Sequence, residues 1–307
     1  MNEKKIPKVS IGLPVYNGEK FIKKRIENLL EQTFTDFELI ISDNCSTDST
    51  FKICSEYVEK DYRILGISQK NNIGPVGNFN FVLNKAQGKY FLWVAVDDLL
   101  HPKFLEKNVA ILDSMNNIVC STSKIKMFGG FTDWLNINEK DPFFTKMEKQ
   151  IKTKFSYMDT FPISGNYESK ISLFIKNCRH NQIFYGLYRK EVLEKCIIEK
   201  SFIGFDTAYS LNVLKYGDFF VVDDVMMDVF DGGESRSGMI GVARTTNQSF
   251  FGLIFPYMSF TTWCRKNLGI KLFLKNIIFF IILNCIGFIS LSLSFIRILK
   301  KHINIKD

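Results

Sequence analysis

Histidine is scarce in this chain. His101, His180 and His302 are the only three in 307 residues, too dispersed to propose a zinc site. Cysteine is neither dense nor paired: Cys45, Cys54, Cys120, Cys178, Cys196, Cys264 and Cys285 are scattered, odd in number and without a Cys-x-x-Cys. That pattern favours reduced thiols in a cytosolic compartment over a disulfide framework. Met1 to Lys8 is polar and has no signal-peptide core, so the main domain is expected to stay in the cytosol. Internal repeats and low-complexity runs are absent. No basic patch interleaved with base-stacking aromatics matches a nucleic-acid motif, so nucleic acid is not an expected partner. A Gly-x-Gly-x-x-Gly turn is missing after the first apolar run, where Pro14-Val15-Tyr16-Asn17-Gly18 stands instead. This argues against a dinucleotide-dependent oxidoreductase.

What is present suffices for one large domain and an appendage: 46% of the residues are hydrophobic and 23% charged. Net charge is +8. Much of the excess lies toward the C-terminus, in Lys266, Lys271, Lys275, Arg297, Lys300, Lys301 and Lys306. A basic end beside an apolar run suggests anionic lipid headgroups.

Strand and helix patterns alternate through the first hundred residues. Val9 to Val15 reads as a strand and Glu19 to Gln32 as a helix, with Phe21, Ile22, Ile26, Leu29 and Leu30 on one face. Phe37 to Ser42 is a second strand, followed by a helix capped by Ser46 or Thr47. Ile64 to Ile67 is a third, and Val76 to Ala86 a helix stopped by Gly88. Such alternation predicts a largely parallel sheet with right-handed crossovers. Tyr90 to Val96 is an unbroken apolar run, read as a strand buried on both faces.

Asp97 and Asp98 follow at its carboxyl end, where open α/β sheets bind ligands. Adjacent acids repel unless a cation or hydrogen-bond donors stabilise them. A divalent metal carrying a diphosphate is one reason to keep both; a turn capping the helix from Pro102 to Met115 is another. Further on come a strand at Ile118 to Ser123 and a long polar stretch, Phe128 to Gly165, of the kind that forms functional loops or lids. Phe205 to Tyr216 is a helix with Asp206 in its first turn, Phe219 to Val222 a strand, and Asp231 to Ser235 a flexible loop.

Four fragments in order carry a resemblance. They are Gly12-Leu13-Pro14-Val15-Tyr16-Asn17-Gly18-Glu19, Ser42-Asp43-Asn44-Cys45-Ser46-Thr47-Asp48, Asn72-Ile73-Gly74-Pro75 with Asn78, and Asp97-Asp98. Together they resemble the family 2 glycosyltransferases, strongly across Lys8 to Leu112. Beyond that the likeness thins to Tyr185-Gly186-Leu187-Tyr188-Arg189, Phe205-Asp206 and Gly232-Gly233-Glu234-Ser235. The resemblance implies a GT-A fold, Rossmann-like with a mostly parallel sheet flanked by helices, over residues 1–235. It implies an inverting, metal-dependent transferase that takes a sugar from a nucleotide-diphosphate donor, UDP-sugar favoured, to a glycan acceptor; the apolar C-terminal segment is the one sequence argument for a lipid-linked acceptor.

Carried over by position, Pro14, Tyr16 and Asn17 would line the base and ribose pocket, with Glu19 beside it or acting only as a helix N-terminal charge. Asp43 would accept from a uracil-type imide N–H, and Asn72, Gly74 and Asn78 belong to the same nucleotide-sugar site. Asp97 would lie near the ribose, and Asp98, with Asp97, would hold Mg²⁺ or Mn²⁺ as a DXD-like motif. Many relatives have another acid where this chain has Ala95; a branch with a Trp-x-Ala-x-Asp-Asp pattern shares that feature. Asp206 would be the catalytic base, taking the acceptor hydroxyl's proton, or else a helix N-terminal acid. Asp223 and Asp224 are weaker alternatives. The Gly232-Gly233 loop would close over the diphosphate or be only a turn. A non-catalytic scaffold that keeps the nucleotide pocket is the competing reading.

Ile277 to Ile296 is twenty residues without a charge, bracketed by Lys275 and Arg297. As a helix it would reach about 30 Å, the thickness of a bilayer core. Asn284, Ser290, Ser292 and Ser294 weaken a spanning helix; an interfacial one, with Phe250 to Trp263, is the rival, and a buried helix of the soluble domain is the third reading, disfavoured because the segment lies past the fold's expected end. Residues 236–271 are expected to be a linker or amphipathic region, and 272–307 a membrane-associated or transmembrane helix with a basic tail. The catalytic domain would then work at the cytoplasmic face of a membrane.

Overall fold

A computed structural model describes residues 6–130, 133, 138–143, 146, 149, 160–177, 181–232, 252 and 254–303; side chains are described as far as Ser292. The polar stretch after Phe128 therefore lies largely outside the described residues, as do Gly233 to Ser235.

The alternation runs β1 (Val9–Val15), α1 (Glu19–Leu30), β2 (Phe37–Asp43), α2 (Thr50–Val58), β3 (Ile64–Ser68), α3 (Gly74–Lys85) and β4 (Tyr90–Trp93). After it come β5 (Leu99–Leu100), α4 (Phe104–Ser114), β6 (Ile118–Phe128), α5 (Tyr167–Asn177), β7 (Leu187–Arg189), α6 (Lys190–Glu194), α7 (Phe205–Val213) and β8 (Asp218–Phe230). Three helices close the chain: α8 (Met258–Asn267), α9 (Ile270–Lys275) and α10 (Ile277–Ile303).

All eight strands form one sheet in the order β3-β2-β1-β4-β7-β6-β8-β5. The first four are parallel, as the alternation predicts. β7 then enters antiparallel between β4 and β6, with Phe91 opposite Tyr188 and Cys120 also opposite Tyr188. β6 and β8 run parallel to each other, and β5 closes the far edge antiparallel to β8.

Period-two alternation sends side chains to two cores. Val9, Ile11, Leu13, Tyr90 and Leu92 meet Ile22, Ile26 and Leu29 of α1 on one face. Phe91 and Trp93 face the other, where Trp93 stacks on Phe184 at 4.7 Å and 9° and donates from Nε1 to the Phe79 carbonyl at 3.0 Å. β4 is thus buried on both faces. It is shorter than its apolar run: Val94 N still donates to the Gly12 carbonyl at 3.0 Å, after which the chain leaves the sheet toward Asp97.

Within residues 236–271, expected to be a linker or amphipathic region, the chain forms α8 and begins α9. Phe260, Cys264, Leu268, Leu272 and Phe273 join the core that contains Trp93, and so does Phe280 of α10. The cause is a helical spacing of buried residues at 260, 264, 268 and 272. Among the described residues no helix is long and apolar enough to cross a membrane.

Candidate functional site

The sheet's carboxyl edge is built first by the turn after β1. Asn17 sits at φ +49°, a left-handed conformation that asparagine tolerates better than most residues. Its Oδ1 accepts from Thr47 N at 2.9 Å and its own N donates to Ser46 Oγ at 2.8 Å. Glu19 Oε2 accepts from Ser49 N at 3.0 Å, just before α2, while Glu19 N donates to Asp48 Oδ2 at 3.2 Å. The side chains of Asn17 and Glu19 therefore tie the β1 turn to the β2 loop. Pro14 is half-buried, and Tyr16 presents an exposed ring at the lip.

β2 delivers Asp43, which is 1% exposed. Its Oδ2 accepts from Ser46 N at 3.2 Å and Ser68 Oγ at 3.3 Å. Oδ1 is buried with no hydrogen-bond partner. A carboxylate oxygen left in that state is costly, so it is a place for a donor that the protein does not itself supply. Beside it, Asn44 Oδ1 accepts from Ile73 N, and Asn72 Oδ1 accepts from Asn44 Nδ2 and Gly74 N. Gly74 opens α3 at φ +75°. Asn78 donates from Nδ2 to the Ser42 carbonyl at 2.9 Å. Asn72, Gly74 and Asn78 thus shape the wall beside Asp43.

The acid pair is held from both sides. Phe230 N, at the end of β8, donates to Asp98 Oδ1 at 2.9 Å. From α1, Asn28 clasps the next backbone unit, its Oδ1 accepting from Leu100 N and its Nδ2 donating to the Leu100 carbonyl, both at 2.8 Å. Asp98 is 6% exposed and titrates at about 6, pushed up by burial and then by the charge of Asp97. The Phe230 hydrogen bond and Arg25 partly offset this. Burial raises Asp97 as well. Arg25 is fully buried beneath them, and desolvation lowers its guanidinium to about 10 against the pull of Asp98 and then Asp97. Among the described residues Arg25 is thus the internal cation set against two crowded carboxylates, and the three together carry a net negative charge when both acids are ionised.

Asp206 opens α7 behind Gly204, whose φ is +87°. Burial raises its pKa, countered by hydrogen bonds from Thr207 N, its own N and the Asn181 side chain. Asn181 is itself fixed by donating from Nδ2 to Ser210 Oγ at 2.9 Å. The Tyr185 phenol, pushed far above its ordinary range by burial, feels the charges of Asp98, Asp206 and Asp97 in that order. One half-buried ring therefore lies within electrostatic reach of both the acid pair and Asp206. Asp223 and Asp224 lie elsewhere, on the exposed middle of β8, paired with Lys124 and, at 2.6 Å, Lys107.

Sequence reading missed Arg25, Tyr185 and Asn181 as parts of this site. Arg25 left a signal: it falls three residues after Ile22 and one before Ile26, on the apolar face of α1. Among the described residues no group of three or more His, Cys, Asp or Glu could hold a metal ion. Two carboxylates remain, enough for a hard cation whose other ligands are phosphate oxygens and water.

Residues 10–196 match the family described as Glycosyl transferase family 2. The putative glycosyltransferase EpsE of Bacillus subtilis is 38% identical over 108 residues, 35% of this chain and 39% of that protein. An uncharacterized glycosyltransferase of Haemophilus influenzae is 33% identical over 121 residues, 39% of this chain and 38% of its own length. The matched stretches thus span about two fifths of these relatives. Residues 1–349 of S. aureus TarS, solved with UDP-GlcNAc, superpose with a TM-score of 0.56 at 19% identity, covering 85% of this chain and 73% of that one. The mannosyltransferase PcManGT from Pyrobaculum calidifontis, solved with GDP-Man and Mn²⁺, gives 0.56 at 13% identity, covering 95% and 74%. At those identities the two structures share the fold with this chain.

Proposed function

The chain belongs to glycosyl transferase family 2, and from that premise we propose that it moves a sugar, with inversion, from a uridine-diphosphate donor to a glycan or lipid-linked hydroxyl acceptor. We place the reaction at the cytoplasmic face of a membrane. The observation that carries the reading is the spacing of unmet chemistry along one sheet edge: an orphaned acceptor on Asp43, a crowded acid pair, and a raised carboxylate on Asp206.

Asp43 Oδ1 accepts the imide N–H of the uracil ring, a donor that cytosine lacks at that position. Tyr16 offers its exposed ring beside the base. The diphosphate lies toward Asp97 and Asp98, which fit Mg²⁺ or Mn²⁺ because the buried Asp98 and the half-buried Asp97 repel each other and need more positive charge than Arg25 brings. When bound, such an ion neutralises the diphosphate and stabilises it as a leaving group. The UDP-GlcNAc complex of TarS and the Mn²⁺ complex of PcManGT support this donor and ion.

Asp206 takes the acceptor's proton. As the acceptor oxygen attacks the anomeric carbon, the bond to the diphosphate oxygen breaks and its electron pair leaves with UDP. A single displacement of this kind inverts the configuration. Burial raises the carboxylate's proton affinity, and the Asn181 hydrogen bond fixes its orientation, so it is a stronger base than a solvated aspartate.

The test is a panel of UDP-, GDP- and CMP-sugars, with hydrolysis or transfer followed in Mn²⁺ or in EDTA. Turnover confined to UDP-sugars and lost in EDTA is the expected result. Absence of both binding and turnover with every donor would overturn the proposal.

A further inference from the structure

The C-terminal helices have two apolar faces, of which the protein uses one. On α10, Phe280, Asn284 and Gly287 turn inward. Phe280 stacks on Phe273 at 4.8 Å and 18°, and Asn284 Nδ2 donates to Thr261 Oγ1 of α8 at 2.8 Å. Gly287 lies so close to Tyr257 that a Cβ there would stand 2.9 Å from the ring. Opposite them, Ile278, Ile281, Ile282, Ile286 and Ile289 are exposed, from 52% to 70%. Five solvent-facing isoleucines on one helix face are unusual for a surface that meets only water.

Charge identifies what covers this face. Residues 235–307 contain ten Lys or Arg and one acid, Asp307, while residues 1–234 contain 30 basic and 31 acidic residues. The chain's whole positive excess therefore belongs to the segment that bears the isoleucines. A second copy of so basic a segment would be repelled, whereas an anionic bilayer is attracted.

We infer that the outer face of α10 docks on an anionic lipid surface, with the helix lying along the bilayer instead of crossing it. Lipid on all sides is ruled out for its first three turns, because Phe280, Asn284 and Gly287 are fastened to α8 and its approach. Asn284 Oδ1 is already a buried acceptor without a partner, and hydrocarbon would offer it none. The stretch from Phe288 to Ile296 is too short to span, since about 20 apolar residues are needed, and it carries Ser290, Ser292 and Ser294.

The docked orientation brings the acceptor end of the site to the membrane. Phe260 of α8 packs where a Cβ on Gly204 would meet its ring at 3.4 Å, and the Tyr257 phenol feels the Asp206 charge. The platform and the candidate base therefore share a wall, which favours an acceptor carried on a lipid. This inference rests on the membrane location proposed above, and the experiment separates the two.

The full-length protein is to be sedimented with phosphatidylcholine vesicles, with and without phosphatidylglycerol. Stronger binding to the anionic vesicles and complete release by alkaline carbonate are expected. Ile278→Glu with Ile282→Glu should lower partitioning by roughly 10²-fold or more, the scale for two buried isoleucines. The milder Ile278→Asn with Ile282→Asn should shift it in the same direction, with UDP affinity and circular dichroism unchanged in both variants. Lys266→Glu with Lys271→Glu should cost on the order of tenfold on anionic vesicles and little on neutral ones. If the wild type binds and the isoleucine variants bind equally well, the docking face is wrong while the membrane location stands. Resistance to carbonate would show a span and overturn the inference. Failure of the wild type to bind any vesicle would overturn both readings, and a lipid-free dimer dissolved by the isoleucine substitutions would assign the face to self-association.

Discussion

Asp98→Asn should make the protein more stable and less able to bind its donor. Asp98 titrates at about 6 in the folded chain against 3.8 for an ordinary aspartate. The folded state therefore holds that proton more tightly than the unfolded state. Its contribution is fully present below the unfolded pKa and is lost as pH rises through about 6. At about 1.4 kcal/mol per pH unit the ionised side chain costs at most about 3 kcal/mol, and about 1–2 once local relaxation is allowed. Asparagine keeps an oxygen for the Phe230 N–H at 2.9 Å and removes the charge. For a chain of this size the metal-free variant should melt roughly 2–5 °C above wild type near pH 7.5, with no gain below about pH 4.5. Thermal melts at the two pH values, in EDTA, give the comparison. Mn²⁺ with UDP should then raise the wild-type Tm and leave the variant's almost unchanged. A variant that melts lower than wild type near neutral pH would refute the reasoning, because it would show Asp98 to be stabilised in place, not strained.

Three other substitutions address the remaining residues. Asp206→Asn should keep UDP affinity within about twofold while turnover falls roughly 10²-fold or more, measured by single-turnover transfer; retained turnover would remove Asp206 from the role of base. In the wild type, activity should rise with pH along a limb set above the ordinary carboxylate range, since burial raises Asp206 and only its ionised form accepts a proton. Asp43→Asn should weaken UDP binding by roughly 10- to 100-fold in calorimetry, the cost of one charge-assisted hydrogen bond, and an unchanged Kd would place the base elsewhere. Arg25→Met should destabilise by about 2–4 kcal/mol at pH 8 in urea unfolding and by clearly less at pH 5, where Asp98 is protonated; a loss independent of pH would separate Arg25 from the acid pair.

The parallel half of the sheet was legible because each strand is an apolar run followed by a helix with a clear apolar face. The antiparallel part was not. β7 is three residues long, too short to show a period, and β8 carries Asp223 and Asp224 in mid-strand, which divides its pattern. Register shifts between Ser123 and Ile125 in β6 accommodate that stretch. In the site, each acid was visible by its place after a strand or at a helix start. Arg25 was not, because a charge on a helix looks solvated until its phase against Ile22 and Ile26 is counted. The roles of Tyr185 and Asn181 depend on which strands and helices meet, and that is a tertiary fact. α10 was readable as a helix, but which of its faces would be taken by the domain depended on Thr261 and Phe273.

The insertion of β7 bears on how the chain is made. Every residue of β4 is buried, and its partner on one side, β1, is synthesised some eighty residues earlier. Its other partner lies near residue 188, about a hundred residues later. As the polypeptide leaves the ribosome, Tyr90–Trp93 therefore waits with one edge unpaired while the next hundred residues are translated. An open, aromatic strand edge is a template for pairing with other chains. The nascent molecule is most in need of a chaperone during that interval, and fragments ending before Arg189 should be recovered as aggregates even though they contain every donor-binding residue.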